Sequence, residues 1–364
     1  MMINFEGSDV RIDAIEEIKA LKLPIFLWGG EVYSGYVAEY LRANHISDKI
    51  EIVVDDEYIK ENDGFMPLSE YLLNWSENSI MIFGFYSYKI VQNKYRQYKD
   101  QIKYLYDFRI THVGDHLLEW DKNEAEKNLP SYIRTYEMLA DDKSRLTMER
   151  YLRAAVNGEF EELFENCYEE TAYFNAVTEH LPIDVLIDCG AFDGDDICDF
   201  VKVFPKYDTI YAIEPDQKNA EKLKNRMNGE GISDVIVITK GVYRESAVLR
   251  FSSGNGVASH LDDSGDVEVP VLALDELLQE CPGNILIKMD IEGSEMDALA
   301  GASRAIAARQ PCLAICVYHK EEDLIKIPQY IDSLVEPNTY DYYLRFHGLG
   351  LAELVFYAVP RLPG

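Results

Sequence analysis

Short apolar runs, each ending in glycine or an acid and each followed by a segment of helical spacing, recur along the whole chain. Asp9 to Leu21 reads as an amphipathic helix, and Pro24-Ile-Phe-Leu-Trp28 as a short buried strand. Gly29, Gly30 and Gly35 punctuate the entry to a second helix that runs through Leu41. Ile50 to Val54 gives another strand, ending in Asp55 and Asp56. Ser79 to Phe83 gives a third, ending in Gly84, and Lys103 to Tyr106 a further short one. Strands that alternate with helices imply a parallel sheet, so residues 1–112 are expected to form a Rossmann-like α/β domain. Its glycines depart from G-x-G-x-x-G. Two readings stay open: a nucleotide or nucleotide-sugar site over Gly29, Gly30 and Gly35 with Asp55 on a ribose, or a domain that only packs or dimerises.

Residues from about 113 to 182 read as helical, without strand-like runs. Leu139, Leu146, Tyr151, Leu152, Ala155, Phe160, Leu163 and Phe164 recur at helical spacing, and Pro130 and Gly158 punctuate them. These helices are expected to connect the two halves. Tyr168, Tyr173 and Phe174, just before the next strand, suggest a lid over a cleft instead.

From 183 to 364 the order is strand, turn, helix, repeated. Candidate strands are 185–188, 209–213, 235–239, 285–289 and 312–317. Two closing runs, 340–346 and 353–359, flank His347-Gly-Leu-Gly350 and signal a hairpin. The first strand ends in Asp188-Cys-Gly190-Ala191-Phe192-Asp193-Gly194, and the second delivers Glu214 at its tip. Glycines at the first strand-to-helix turn, with an acid on the next strand tip, describe a nucleoside-binding α/β site. The spacing Asp188-x-Gly190-x-x-x-Gly194 suits a ligand without a pyrophosphate to cradle, such as S-adenosylmethionine.

The formal charge of -30 changes the range of partners, since an acidic surface repels phosphate backbones and disfavours nucleic acid. No apolar run approaches the ~20 residues that span a bilayer. The N-terminus lacks a basic flank and an apolar signal core, so a cytoplasmic protein off the membrane is expected. The 6 cysteines include no Cys-x-x-Cys pair and read as reduced thiols rather than a metal or redox site.

The motifs from 183 to 359 resemble the FkbM family of S-adenosylmethionine-dependent methyltransferases. The resemblance rests on Asp188 to Gly194, Ile213-Glu-Pro215-Asp216, Ile287-Lys-Met-Asp-Ile-Glu-Gly-Ser-Glu295, Val317-Tyr-His-Lys320 and the closing hairpin. Phe192 departs from the small polar residue that the family often carries there. The implied fold is a class I methyltransferase sheet, five parallel strands and a terminal antiparallel hairpin, beside the smaller N-terminal Rossmann-like domain. The implied reaction is O-methylation of a sugar, a glycan precursor or a secondary metabolite.

Within that reading, Asp188 is expected to hold the cofactor's ammonium, directly or through water, with Gly190, Ala191, Phe192, Asp193 and Gly194 beside its methionine part. Glu214 is expected on the ribose hydroxyls, Pro215 shaping the turn, and Gly241 and Val242 at the adenine. Asp290, Glu292 and His319 are the catalytic candidates, and Asp290 is expected to border the cofactor as well. A carboxylate orients an acceptor hydroxyl or takes its proton, and histidine titrates near neutrality. Glu295 reads as a helix cap, and His347 as structural or substrate-shaping. Asp290, Glu292 and His319 would also suit a divalent cation, but no metal is expected because the spacing is not diagnostic. A homodimer is an open option. The rival readings are a non-catalytic scaffold, against which intact Asp188, Gly190, Glu214 and Asp290 speak, and an NAD-dependent oxidoreductase, against which the glycine spacing and terminal hairpin speak.

Overall fold

The computed structural model describes residues 3, 5, 9–30, 32–47, 49–59, 64–108, 111–113, 116–118, 120–251, 267–279 and 281–361. Five parallel strands form the N-terminal sheet: β1 (Ile25–Trp28), β2 (Ile50–Val54), β3 (Met66–Pro67), β4 (Ile80–Phe83) and β5 (Leu105–Asp107), in the order β3-β2-β1-β4-β5. Alternation along β1 splits its side chains between two layers. Ile25 and Leu27 pack with Ile15, Ile18, Val37 and Leu41 of helices Val10–Leu21 and Val32–Ala43. Phe26 and Trp28 face the other way, onto Leu68, Tyr71 and Val91 of helices Leu68–Asn74 and Tyr88–Tyr98. Asp9 accepts from Arg11 N and starts the first helix, as the sequence pattern suggests. β3 and the helix after it were not expected, because a two-residue strand leaves no periodic trace.

The stretch after residue 110 corrects the all-helical expectation. β6 (Thr111–Val113) and β7 (His116–Leu118) pair antiparallel, and the sequence between them, Gly114-Asp115, has turn composition. Helices Lys122–Lys127, Leu129–Met138, Asp142–Asn157 and Phe160–Cys167 follow. Residues 168–182 then run without a helix. The helices share one hydrophobic core with the C-terminal sheet, as Ile3, Phe5 and Tyr88 also do. Tyr151 donates from its hydroxyl to Leu351 O at 2.8 Å, and Ser144 Oγ accepts from Leu344 N at 3.0 Å.

The C-terminal sheet contains β8 (Val185–Cys189), β9 (Thr209–Ile213), β10 (Val235–Ile238), β14 (Ile285–Met289), β15 (Cys312–Cys316), β16 (Tyr340–Phe346) and β17 (Leu354–Pro360). Their order is β10-β9-β8-β14-β15-β17-β16, with β17 antiparallel to both of its neighbours and the first five strands parallel. This is the expected architecture. Beside it lies a small sheet the sequence reading did not foresee: β11 (Gly241–Val242), β12 (Ala247–Phe251) and β13 (Val267–Leu272), in the order β11-β13-β12. The candidate site lies at the C-terminal end of the parallel strands, where β8 and β14 stop side by side in register, Cys189 opposite Met289. Among the described residues no helix is long and apolar enough to cross a membrane.

Candidate active site

Gly190 leaves β8 with φ +81°, and a Cβ there would stand 1.9 Å from Asp290 O. Only glycine fits, because the tips of β8 and β14 touch through their backbones. Gly190 N and Ala191 N both donate to Ile213 O, at 3.0 and 3.1 Å, which ties the turn to β9 as well. Gly194 closes the turn, donating to Ala191 O at 2.8 Å, and leads into helix Asp195–Val203.

Asp188 and Lys288 face each other across β8 and β14. Lys288 Nζ lies 3.1 Å from Asp188 Oδ1 and 2.9 Å from Asp196 Oδ2, and it donates to Gly190 O at 3.0 Å. Asp188 is 0% exposed and Lys288 2%. Burial alone would drive the ammonium toward its neutral form, but Asp188, Asp196 and Asp290 outweigh it and hold Lys288 protonated. Burial pushes the Asp188 carboxyl up to about 6 against that cation. Asp188 therefore has no surface to offer an ammonium; what it does is pin Lys288 under the turn.

Glu214 is the acid at the tip of β9 and is buried. It accepts from Phe192 N at 3.0 Å through Oε2 and from Asp216 N at 2.8 Å through Oε1. Burial raises its carboxyl, and the two amides partly offset this. A carboxylate has about four acceptor positions, so each oxygen keeps one for a ligand. The Phe192 ring is half exposed and Pro215 is exposed beside it. Asp193 is ion-paired with Arg226, while Ala191 is buried. Gly241 and Val242 sit apart, on β11 against Val271 and Leu272, just past Ile238, whose carbonyl takes Glu214 N at 3.1 Å.

Asp290, at the tip of β14, collects the densest set of donors. Oδ2 accepts from the Tyr173 hydroxyl at 3.1 Å and Oδ1 from the Tyr318 hydroxyl at 3.2 Å. His319 Nε2 lies 3.3 Å from the same Oδ1 and 3.7 Å from Glu292 Oε2, and Nδ1 lies 3.0 Å from Glu295 Oε1. Burial opposes charge on the ring, yet Glu295 and Asp290 together raise His319 well above its ordinary value. For Asp290, burial would raise the carboxyl, but His319, Lys288 and the Tyr173 hydroxyl hold it well below the usual carboxylate range. Glu292 has φ +56° and stands at the rim, its carboxyl raised by burial, with His319 acting against the rise.

The ring nitrogens of His319 thus face different carboxylates. Both contacts are ion pairs rather than well-aligned hydrogen bonds, and a ring held protonated between carboxylates has no lone pair for a proton from elsewhere. Asp290, Glu295 and His319 do bring one ligand atom each within 4.8 Å.

The structure brings Asp290, Glu292 and His319 together as the sequence suggested. It also adds residues the sequence reading missed. Glu295 takes Ile291 N at 3.0 Å, as a cap would, but the same oxygen faces His319. Lys288 and Tyr318 were not singled out, and Tyr173, read as part of a lid, is buried on Asp290 instead. His347 is structural: Nδ1 is 3.1 Å from Glu169 O and Nε2 3.1 Å from the Tyr357 hydroxyl, and burial pulls it down to about 4.

Residues 188–342 match the family model described as the Methyltransferase FkbM domain. In fold, the chain resembles the methyltransferase FkbM from Methylobacillus flagellatus KT, with a TM-score of 0.72, 20% identity, and 95% of this chain and 93% of that chain covered. An rRNA methylase from Streptococcus thermophilus overlaps less, with a TM-score of 0.33, 15% identity, and 50% of this chain and 87% of that one covered. A putative methyltransferase from Streptococcus mutans in complex with SAH gives a TM-score of 0.30, 13% identity, and 48% and 88% coverage. No curated protein matches in sequence. The family pattern falls on the strand tips that build the site, so residues 188–342 resemble the FkbM methyltransferase domain.

Proposed function

We propose that this protein is an S-adenosylmethionine-dependent O-methyltransferase acting on a hydroxyl of a sugar, a glycan precursor or a secondary metabolite. One observation carries the reading. A single sheet edge holds both Glu214, an acid with acceptor positions to spare, and Asp290, an anion fixed by a histidine and two tyrosines.

Glu214 would take the ribose hydroxyls of S-adenosylmethionine, with Pro215 shaping the turn below. The turn from Gly190 through Ala191, Phe192 and Asp193 to Gly194 would flank its methionine part, and Gly241 and Val242 its adenine. Asp188 serves the same turn through Lys288, which also holds Gly190 O. When bound, S-adenosylmethionine supplies a sulfonium methyl that passes in line to the acceptor oxygen. The protein's task is then mainly to position two reactants. Asp290 stays ionised and directs the acceptor hydroxyl. An alcohol is far from acidic at neutral pH, so its proton leaves as transfer proceeds. Glu292, at the rim and partly open, is the carboxylate placed to receive it. His319 was the candidate base. With both nitrogens on carboxylates it acts instead as a fixed cation that orients Asp290. No metal is part of this reading.

We divide the chain into 1–112, 113–182 and 183–364, and place the reaction in the cytoplasm on a small-molecule or glycan acceptor, with a homodimer as an option. The test is calorimetric titration of the full chain with S-adenosylhomocysteine and with NADH. Micromolar binding of the first alone supports the reading. NADH binding alone moves the protein to the oxidoreductases, and silence from both favours a scaffold.

A further inference from the structure

The turn after β8 holds more negative charge than its one buried cation can match, and the excess traces to a single side chain. Lys288 commits its ammonium to three acceptors: Asp188 Oδ1 at 3.1 Å, Asp196 Oδ2 at 2.9 Å and Gly190 O at 3.0 Å. An ammonium has three N–H groups, so none remains for a ligand. The Tyr173 ring lies over the same nitrogen at 5.2 Å, and the lysine is sealed from solvent. Two carboxylates thus share one cation, and they differ in access. The Asp188 side chain is 0% exposed and that of Asp196 28%.

Asp196 stands in the first turn of helix Asp195–Val203, where the helix dipole favours an anion. Its place at the glycine turn is fixed by contact, because the ammonium that it meets is the one that also holds Gly190 O. Lys288 is its one charged partner among the described residues, so the carboxylate keeps acceptor positions toward solvent. The neighbouring acids are committed elsewhere. Asp290 accepts from two tyrosines and lies against His319, and Asp193 is paired with Arg226. Asp195 turns Oδ1 back to accept Asp196 N at 3.0 Å. Burial raises the Asp196 carboxyl, and Lys288 works against the rise. A second cation on the open side would add to that pull.

Resting on the cofactor reading above, we infer that Asp196, in place of the buried Asp188, receives the ammonium at the amino-acid end of S-adenosylmethionine. Asp188 acts at one remove. It takes part of the lysine's charge and so leaves Asp196 without a full counter-ion. Strands β9, β8 and β14 are neighbours in that order, and Asp196 meets the lysine of β14. The assignment therefore sets the amino-acid end on the β14 side of the edge, toward Asp290 and away from Glu214.

Calorimetry on the full chain tests this with three compounds and no acceptor. They are S-adenosylhomocysteine, its desamino analogue, which keeps the carboxylate and lacks the amine, and methylthioadenosine, which lacks the whole amino-acid end. The wild type should bind S-adenosylhomocysteine about tenfold more tightly than the desamino analogue, the effect of one charge-assisted hydrogen bond. In Asp196→Asn that preference should collapse while the affinity for methylthioadenosine holds. A desamino analogue that binds the wild type as tightly as its parent, or a preference that survives in Asp196→Asn, overturns the assignment. So does an equal loss for all three compounds, which would mark damage to the turn. Should Asp196→Asn not fold, carboxyl-carbon NMR of the wild type decides: the Asp196 signal should move with S-adenosylhomocysteine and stay with the desamino analogue, and equal shifts overturn the assignment. If none of the three compounds binds the wild type, the cofactor reading itself fails, an outcome distinct from binding without preference.

Discussion

The two parallel sheets of this protein end in nearly the same arrangement, and the difference between them locates the chemistry. In each, the first strand stops at a glycine that touches the neighbouring strand's backbone. A Cβ on Gly29 would stand 2.7 Å from Gly84 O, and one on Gly190 1.9 Å from Asp290 O. In each, the next strand ends in an acid, Asp55 or Glu214. The fates of those acids diverge. Asp55 is held by Lys94 at 2.6 Å and by Trp28 Nε1 at 3.2 Å, with the ammonium over the Trp28 ring at 4.3 Å. Among the described residues Glu214 meets backbone amides alone and keeps acceptor capacity. A glycine at a strand tip is thus a packing requirement in both sheets. What marks a ligand edge is an acid left unspent. The N-terminal edge has closed its own site, which favours the packing reading of that domain over the nucleotide-sugar one.

The sharpest way to strain this comparison is to add a methyl group at each tip. Gly190→Ala drives a Cβ into a carbonyl that belongs to a central strand, and neither backbone can yield. We expect a loss of about 4 kcal/mol or more, at the far end of single-site effects. Gly29→Ala meets its carbonyl at 2.7 Å and should cost less, about 1–3 kcal/mol. Urea unfolding read by far-UV circular dichroism measures the loss in each variant. Similar losses would erase the distinction drawn between the tips.

Next in size are the lysines. Lys288→Met leaves Asp188 buried beside no cation and should cost about 3–5 kcal/mol. Lys94→Met breaks a pair that is partly open to water and should cost about 1 kcal/mol or less. The same unfolding series measures both. A larger loss from Lys94 would mean that the N-terminal edge depends on its ion pair more than its exposure allows.

These residues also show where the sequence was readable. The strands of the main sheet are continuous apolar runs ended by glycine or acid, so their positions and order were legible from 185 to 359. Asp290, Glu292 and His319 were found because they stand at strand ends. Lys288 was not, although a lone lysine in Ile285-Leu-Ile-Lys-Met289 was a visible signal. Its meaning depends on register, and only pairing with β8 sets it opposite Asp188. Glu295 looked like a cap because capping is local, whereas its contact with His319 crosses from one strand's end to another's. The hairpin at 111–118 and the two-residue β11 are too short to show a period, whereas the alternation of Val267, Val269 and Val271 in β13 was a visible signal.

The acids themselves give a finer test. Glu214→Ala should weaken S-adenosylhomocysteine binding by about 1–3 kcal/mol, since hydrogen-bonding groups of the ligand lose their acceptor. Asp55→Ala should leave that affinity unchanged, because Asp55 is already bonded within its own domain. Calorimetry on the two variants reads the result. Equal losses would place the ligand nearer the N-terminal edge than proposed here, and no loss in Glu214→Ala would remove the ribose assignment.

The smallest effect concerns acid stored behind the site. Asp323 is buried at the start of helix Asp323–Ser333, accepts Lys320 N at 2.9 Å, and is pushed up to about 7 by burial and by Glu295, against the pull of Lys320 and His319. A carboxyl raised in the folded state binds more protons there than in the unfolded chain. Its contribution is therefore fully present below the ordinary carboxylate range and is lost as pH rises toward 7. Asp323→Asn keeps an oxygen for Lys320 N but carries no charge. It should match the wild type at pH 5 and exceed it by about 1–2 kcal/mol at pH 8. Urea midpoints at the two pH values decide the matter. A variant less stable than the wild type at both would show that the carboxyl's hydrogen bond outweighs its buried charge, and that the excess acid at this edge is confined to the cleft.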